Sequence, residues 1–142
     1  MVTVTRAPEH DTTSLHVAAA HGDAKVVERL LGEGANPNAV DGRGNTALHR
    51  AVRAQKAEIV ELLLSAGAKP DGVVGKSKTP LHCAAEKGNG TIVAILLNHN
   101  ANVNAEDSFG WKPLYYAEAN GYLSVSKQLR LAGATDRRAN PR

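Results

Sequence analysis

The side chains of this 142-residue chain with the most obvious capacity for chemistry are its six histidines and its one cysteine. His16, His49 and His82 stand 33 residues apart, and Cys83 follows His82 directly. Imidazole nitrogens bind zinc at ~2.0–2.1 Å, so a shared ion needs its ligands close together in space. A cysteine nucleophile needs a neighbouring base and a third group that orients the base, and no such group accompanies the pair. The glycine-rich stretches "GEGANPN" and "DGRGN" lack the lysine and the strand-turn-helix setting of a phosphate loop and read as turns. No pair of carboxylates recurs at a shared site. What the histidines do therefore depends on the elements that carry them.

Those elements repeat. Leu15, Leu48, Leu81 and Leu114 are 33 residues apart, and the same step links Ala18 to Ala51, Ala84 and Ala117, and Leu30 to Leu63, Leu96 and Leu129. Ala35, Ala68, Ala101 and Ala134 follow it too, and related residues keep it at His16, His49, His82 and Tyr115 and at Gly34, Gly67, Asn100 and Gly133. A fixed period of this length marks a stacked repeat array.

Each copy divides into two short helices and a turn. Thr13, Thr46 and Thr79 are placed as N-caps, whose hydroxyls accept from unpaired backbone N–H groups, and Pro80 and Pro113 fall at the first helical position, where a missing N–H costs nothing. The first helix is expected to stop near Gly22, Gly88 and Gly121, with Gln55 the odd member. In the second helix Val26-Val27 and Leu30-Leu31, Ile59-Val60 and Leu63-Leu64, and Ile92-Val93 and Leu96-Leu97 each form one broad apolar stripe. Gly34, Gly67, Asn100 and Gly133 are expected to end it. Helices of ~8 to 10 residues are marginal alone, so the stripes must be buried against neighbouring copies. Stacked helices sit ~8–10 Å apart, too far for His16, His49 and His82 to share one zinc. The expectation for these histidines is a structural one: they bridge turn backbones between copies. Cys83 sits where Val17, Arg50 and Tyr116 also occur and reads as a passive thiol.

The stretches "TALHRAV", "TPLHCAAEKG", "IVELLLSAGAKPD" and "VVERLLGEGANPN", in register over four copies, resemble ankyrin repeats. The resemblance covers residues 8 to about 137, with copies at 8–40, 41–73, 74–106 and 107–139, so residues 1–142 read as a single ankyrin-repeat domain. It implies an all-α solenoid of stacked helix-turn-helix pairs joined by β-turn or hairpin-like loops. Pro8 and Val74 depart from the turn aspartates Asp41 and Asp107, and Lys112 from the capping threonine. In the last copy Ser126 and Arg130 replace valine and leucine, and Ser124 and Lys127 add polarity, which reads as a C-terminal cap. At the other end Lys25, Glu28 and Arg29 offer charge to an outward face.

Composition bounds the setting. Apolar residues make up 42% of the chain and aromatics 4%, which favours small-residue helix packing over a sheet sandwich. A single cysteine forms no intrachain disulfide, and the N-terminus lacks the apolar run of a secretory signal. A reducing, cytoplasmic or nuclear location is expected, with no membrane span.

The resemblance implies a non-catalytic protein-protein interaction module, an adaptor, scaffold or inhibitor, whose concave groove is formed by turn tips and one side of the first helix. On this chain the positions that vary there are Arg43, Asn45, Arg50 and Arg53 in the second copy and Lys76, Lys78, Glu86 and Lys87 in the third. The fourth adds Phe109, Trp111, Tyr116 and Asn120. They read as a basic strip, opposed by Glu86 alone, ending at the only Phe and only Trp of the chain. Such a strip suits an acidic protein or peptide segment carrying a bulky apolar residue. No cofactor, metal or small-molecule substrate is called for, and a monomer is expected. A net charge of +3 permits weak, salt-sensitive contact with nucleic acid, but no helix-turn-helix, zinc-finger or RNP signature is present. The tail "TDRRANPR", with Arg137, Arg138 and Arg142, reads as a solvated end, and the second-helix face with Glu28, Arg29, Glu58 and Glu61 as ordinary surface. The alternative to a binding module is a structural subunit of a larger assembly.

Overall fold

The computed structural model describes residues 12–72 and 78–135. Pro8, Val74, Lys76 and the arginines of the tail lie outside these residues.

Helix starts follow from the threonines. Thr13, Thr46 and Thr79 hold extended backbone and accept from the N–H groups of His16, His49 and His82, opening α1 (Ser14–His21), α3 (Ala47–Arg53) and α5 (Pro80–Lys87). Each histidine reciprocates by accepting the threonine N–H on its Nδ1, a capping box with imidazole in place of a carboxylate or amide. The fourth inner helix, α7 (Pro113–Ala119), follows Lys112 without a side-chain cap and relies on Pro113 at its first position. Asp23 and Asn89 cap the outer helices α2 (Ala24–Gly32) and α6 (Gly90–Asn98), whereas α4 (Ala57–Ser65) and α8 (Leu123–Leu131) start uncapped behind Lys56 and Tyr122.

The helix ends fall where glycine spacing places them. Gly22 and Gly88 have φ of +80° and +71° and are also approached closely: a Cβ there would meet the Lys56 stem or the Tyr122 ring at 2.8 Å. Gln55 takes the same left-handed conformation with φ +60°, and Asn100 does so at the end of α6 with φ +71°.

Helices of 7 to 9 residues do not persist alone in water, and these pack in two rows. Helices α1, α3, α5 and α7 form the inner row, α2, α4, α6 and α8 the outer, and each inner helix also meets its own outer partner. The alanines Ala18, Ala51, Ala84 and Ala117 are buried along the inner row and permit close approach. Leu15, Leu48, Leu81 and Leu114 fill the space behind them, while Leu63, Leu96 and Leu129 are fully buried on the outer row. The protein is all-α among the described residues, a solenoid of helix-turn-helix pairs.

Two hydrogen-bond ladders fix the register between copies. His16, His49 and His82 donate from Nε2 to the carbonyls of Asn45, Lys78 and Trp111, each at 2.8 Å. At the opposite edge Asn38 accepts from Lys69 N–H at 2.8 Å and donates to the Gly67 carbonyl at 3.1 Å. Asn104 repeats this with Thr135 and Gly133, and Asp71 accepts from Asn102 N–H.

The last pair differs from expectation in two respects. Ser124, Lys127 and Arg130 face solvent, but Ser126 is buried and its hydroxyl has no hydrogen-bond partner among the described residues. It occupies the place of Val60 and Val93, which point into the stack. The same helix, expected to be a polar cap, also exposes Leu123 and Leu131 at 80% each.

Candidate partner-binding face

The turn that precedes an inner helix is organised by an aspartate. Asp41 Oδ1 accepts from the N–H groups of Arg43 at 2.9 Å and Asn45 at 3.0 Å. Its Oδ2 takes Arg50 Nη2 at 3.0 Å. Burial works against the Asp41 charge, but these donors outweigh it and hold the carboxyl at about 2. Asp107 repeats the design, with Phe109 and Trp111 supplying the N–H groups and the Tyr116 hydroxyl donating to Oδ2. Burial opposes the Asp107 charge too, yet its carboxyl is lowered by these bonds, while burial and the carboxylate push the Tyr116 phenol up.

Around these turns the candidate residues separate into engaged and free groups. Arg50 also donates to Thr12 Oγ1 at 3.3 Å, so its fork is anchored at one end. Arg53 is exposed, and its Nη1 donates to Asn45 Oδ1 at 3.1 Å. Lys78 pairs with Glu86 at 3.1 Å and lies 4.3 Å from the centre of the Tyr116 ring. Asn120 Nδ2 donates to the Glu86 carbonyl at 3.3 Å. Arg43 and Lys87 are exposed, and among the described residues no side-chain partner meets either.

The aromatic end is likewise divided. Trp111 stacks on Tyr115 with ring centres 3.8 Å apart and planes 15° apart. In the earlier copies a histidine stands at the Tyr115 position and reaches the following turn. Tyr115 is instead covered by the indole of its own turn. Phe109, by contrast, projects from the tip and is 70% exposed. From sequence alone Asp41 and Asp107 read as turn residues only, and Tyr115 as the fourth member of the histidine register. The nine-residue spacing shared by Asp41 with Arg50 and by Asp107 with Tyr116 was the available signal.

The possible catalytic groups are occupied or suppressed. His49 is held neutral at about 4, chiefly by burial, against which its bond to the Lys78 carbonyl works; its Nδ1 accepts from Thr46 N–H and hydroxyl at 3.0 Å each. His82 is lowered for the same reason, and burial pushes the Cys83 thiol up, away from thiolate formation. Among the described residues no three metal-binding side chains gather at one point.

The family model for ankyrin repeats, built of three copies, matches residues 4–74 and again 72–138. The chain belongs to the ankyrin repeat family. No curated protein matches it. Ankyrin repeats are generally protein-protein interaction modules and typically non-catalytic. In this ankyrin-repeat protein no helix among the described residues is long and apolar enough to cross a membrane.

Proposed function

We propose that this ankyrin-repeat protein is a non-catalytic intracellular adaptor or inhibitor that holds one extended segment of a partner protein along the inner-helix face. The observation that carries this reading is the separation of roles there. Asp41, Glu86 and Asp107 stiffen the turns and inner helices, leaving Arg43, Arg53 and Lys87 exposed as cations and Phe109 as a bare ring. Rigid, pre-organised contacts lose little entropy on binding, and arginine and aromatic side chains dominate interface energetics. The partner segment is acidic and carries one bulky apolar side chain that covers Phe109. Trp111 and Tyr116 support the tip, and Lys78 and Glu86 neutralise one another between its two ends.

The test is a pull-down from native lysate, followed by affinity measurement with a peptide from the captured partner. Phe109→Ala together with Arg53→Ala should weaken that peptide ~100-fold while helicity by circular dichroism is unchanged. Unaltered affinity would remove the reading. A structural subunit of an assembly remains the second reading because Leu123 and Leu131 lie bare on the opposite face. Size-exclusion mass rising with concentration would favour it.

A further inference from the structure

The polar pocket beside the Asp41 turn is built for an anion. It encloses about 400 Å³ and is lined by Arg43, Arg50, Arg53, Asp41, Asn45 and Thr12. Three guanidiniums and one carboxylate meet there, and both carboxylate oxygens are already turned toward Arg43 N–H, Asn45 N–H and Arg50. Among the described residues the excess is two positive charges. Each guanidinium carries five N–H donors; Arg50 commits Nη2 to Asp41 and Thr12, and Arg53 donates from Nη1 to Asn45 and also meets the Cys83 thiol, so both keep donors for a ligand. A carboxylate would leave one of those charges unmatched, whereas a phosphate monoester carries about −1.5 to −2 and takes bidentate arginine contacts. The wall has no apolar or aromatic side chain among the described residues to cover a phenyl ring, so the ester of an aliphatic hydroxyl suits it better than that of a tyrosine.

We infer that the pocket of Arg43, Arg50 and Arg53 receives a phosphoserine or phosphothreonine of the bound segment. This deepens the groove reading and rests on it. Arg50, braced by Asp41 and Thr12, is the fixed wall, and Arg43 and Arg53 close on the phosphate from the tip and the helix. The stack then sets the register of the ligand. Arg43 and Phe109 sit on turns two copies apart, and inner helices ~8–10 Å apart put these tips ~16–20 Å from one another. An extended chain covers that distance in ~5–6 residues at ~3.3 Å each, which is the separation expected between the phosphorylated residue and the apolar one. A nucleic-acid backbone fits less well, since among the described residues Lys78 of the following copy is neutralised by Glu86.

The experiment uses the full chain and three degenerate peptide pools that differ at one fixed position: phosphoserine, glutamate or serine, each with leucine fixed six residues on. Binding is read by fluorescence anisotropy at physiological salt, with a single-stranded oligonucleotide as a further probe. The phosphoserine pool should bind at least ~10-fold tighter than the glutamate pool, and Arg43→Ala with Arg53→Ala should remove that preference. Equal binding of the phosphoserine and glutamate pools, both weakened by Phe109→Ala, would overturn the phosphate assignment and leave the acidic-segment reading standing. Binding of no pool would overturn both. An oligonucleotide bound as tightly as the phosphoserine pool would show a general phosphate-backbone surface and overturn the assignment to a phosphopeptide.

Discussion

Arg50 and Tyr116 occupy the same place on α3 and α7 and perform the same task with different chemistry: each donates to Oδ2 of the aspartate nine residues before it. In the intervening copy the aspartate position is Val74 and the helix position is Cys83, so a polar pair is replaced by an apolar one. The turn and the first helix of a copy are thus matched to one another as a unit. The cost of removing the aspartate should exceed that of removing its helix partner, because two backbone N–H groups lose their acceptor as well. Asp41→Ala is expected to destabilise by about 2–3 kcal/mol and Arg50→Ala by about 1 kcal/mol. Urea titration of both variants checks this, and equal losses would show that the ion pair rather than the turn carries the effect.

The histidine ladder makes stability depend on pH in a defined direction. His49 is held at about 4 against 6.5 for an ordinary imidazole. Unfolded chains take up a proton at this residue as pH falls below 6.5, whereas the folded protein resists until about 4. The stabilisation is therefore complete above that upper value and is lost across the interval, by about 3 kcal/mol at full loss. The structural reason is burial: the imidazole is 2% exposed, so its charged form is cut off from water, and the Nε2 bond to the Lys78 carbonyl offsets this only in part. Urea midpoints at neutral pH and near pH 4 should differ accordingly, and His49→Gln should flatten the profile in that range while lowering stability at neutral pH. Any remaining slope is assigned to His82, also lowered by burial.

Interior and terminal leucines should not be equivalent. Leu63 and Leu129 are both fully buried, but α4 packs against α2 and α6 whereas α8 packs on the outer row against α6 alone. Leu63→Ala is expected to cost ~4–5 kcal/mol and Leu129→Ala ~2–3 kcal/mol, since a cavity at the end of the stack collapses more readily. Equal losses in thermal or urea denaturation would contradict this account of the end.

Much of this was legible in the sequence because the period of 33 places chemically equivalent residues in equivalent surroundings. The threonine caps, the left-handed Asn100 and the histidine bridges all follow from comparing one copy with the next, whereas Gln55, the odd member among the glycines, takes their left-handed conformation all the same. What the period could not show was pairing across a copy's own turn. Sequence alone offers Arg50 and Lys78 as open cations, because Asp41 reads as a turn residue and Glu86 as a single charge against a whole strip. Pairing them depends on how a side chain swings across the groove, which composition does not record. Of the two rings that sequence places together at the fourth tip, the indole of Trp111 is half-buried on Tyr115 and that of Phe109 projects.

Ser126 offers the most direct test of the end of the stack. Its polarity suggested a solvent-facing cap, but the backbone places it where Val60 and Val93 are fully buried, and its hydroxyl finds no partner among the described residues. Burying an unpaired hydroxyl costs about 1–3 kcal/mol on mutational scales. The same site in the three other copies, at Val27, Val60 and Val93, already accommodates valine, so the larger side chain has a proven fit in equivalent packing. Ser126→Val is therefore expected to stabilise the protein by about 1–2 kcal/mol and to raise its melting temperature, whereas Ser126→Asp should destabilise it by burying a charge. If Ser126→Asp were neutral in calorimetry, the residue would face water in solution and the last helix would sit differently against α6. Because Ser126 points into the stack and the proposed binding face lies on the inner row, neither substitution should change affinity for a groove ligand, which separates stability of the end from recognition by the turns.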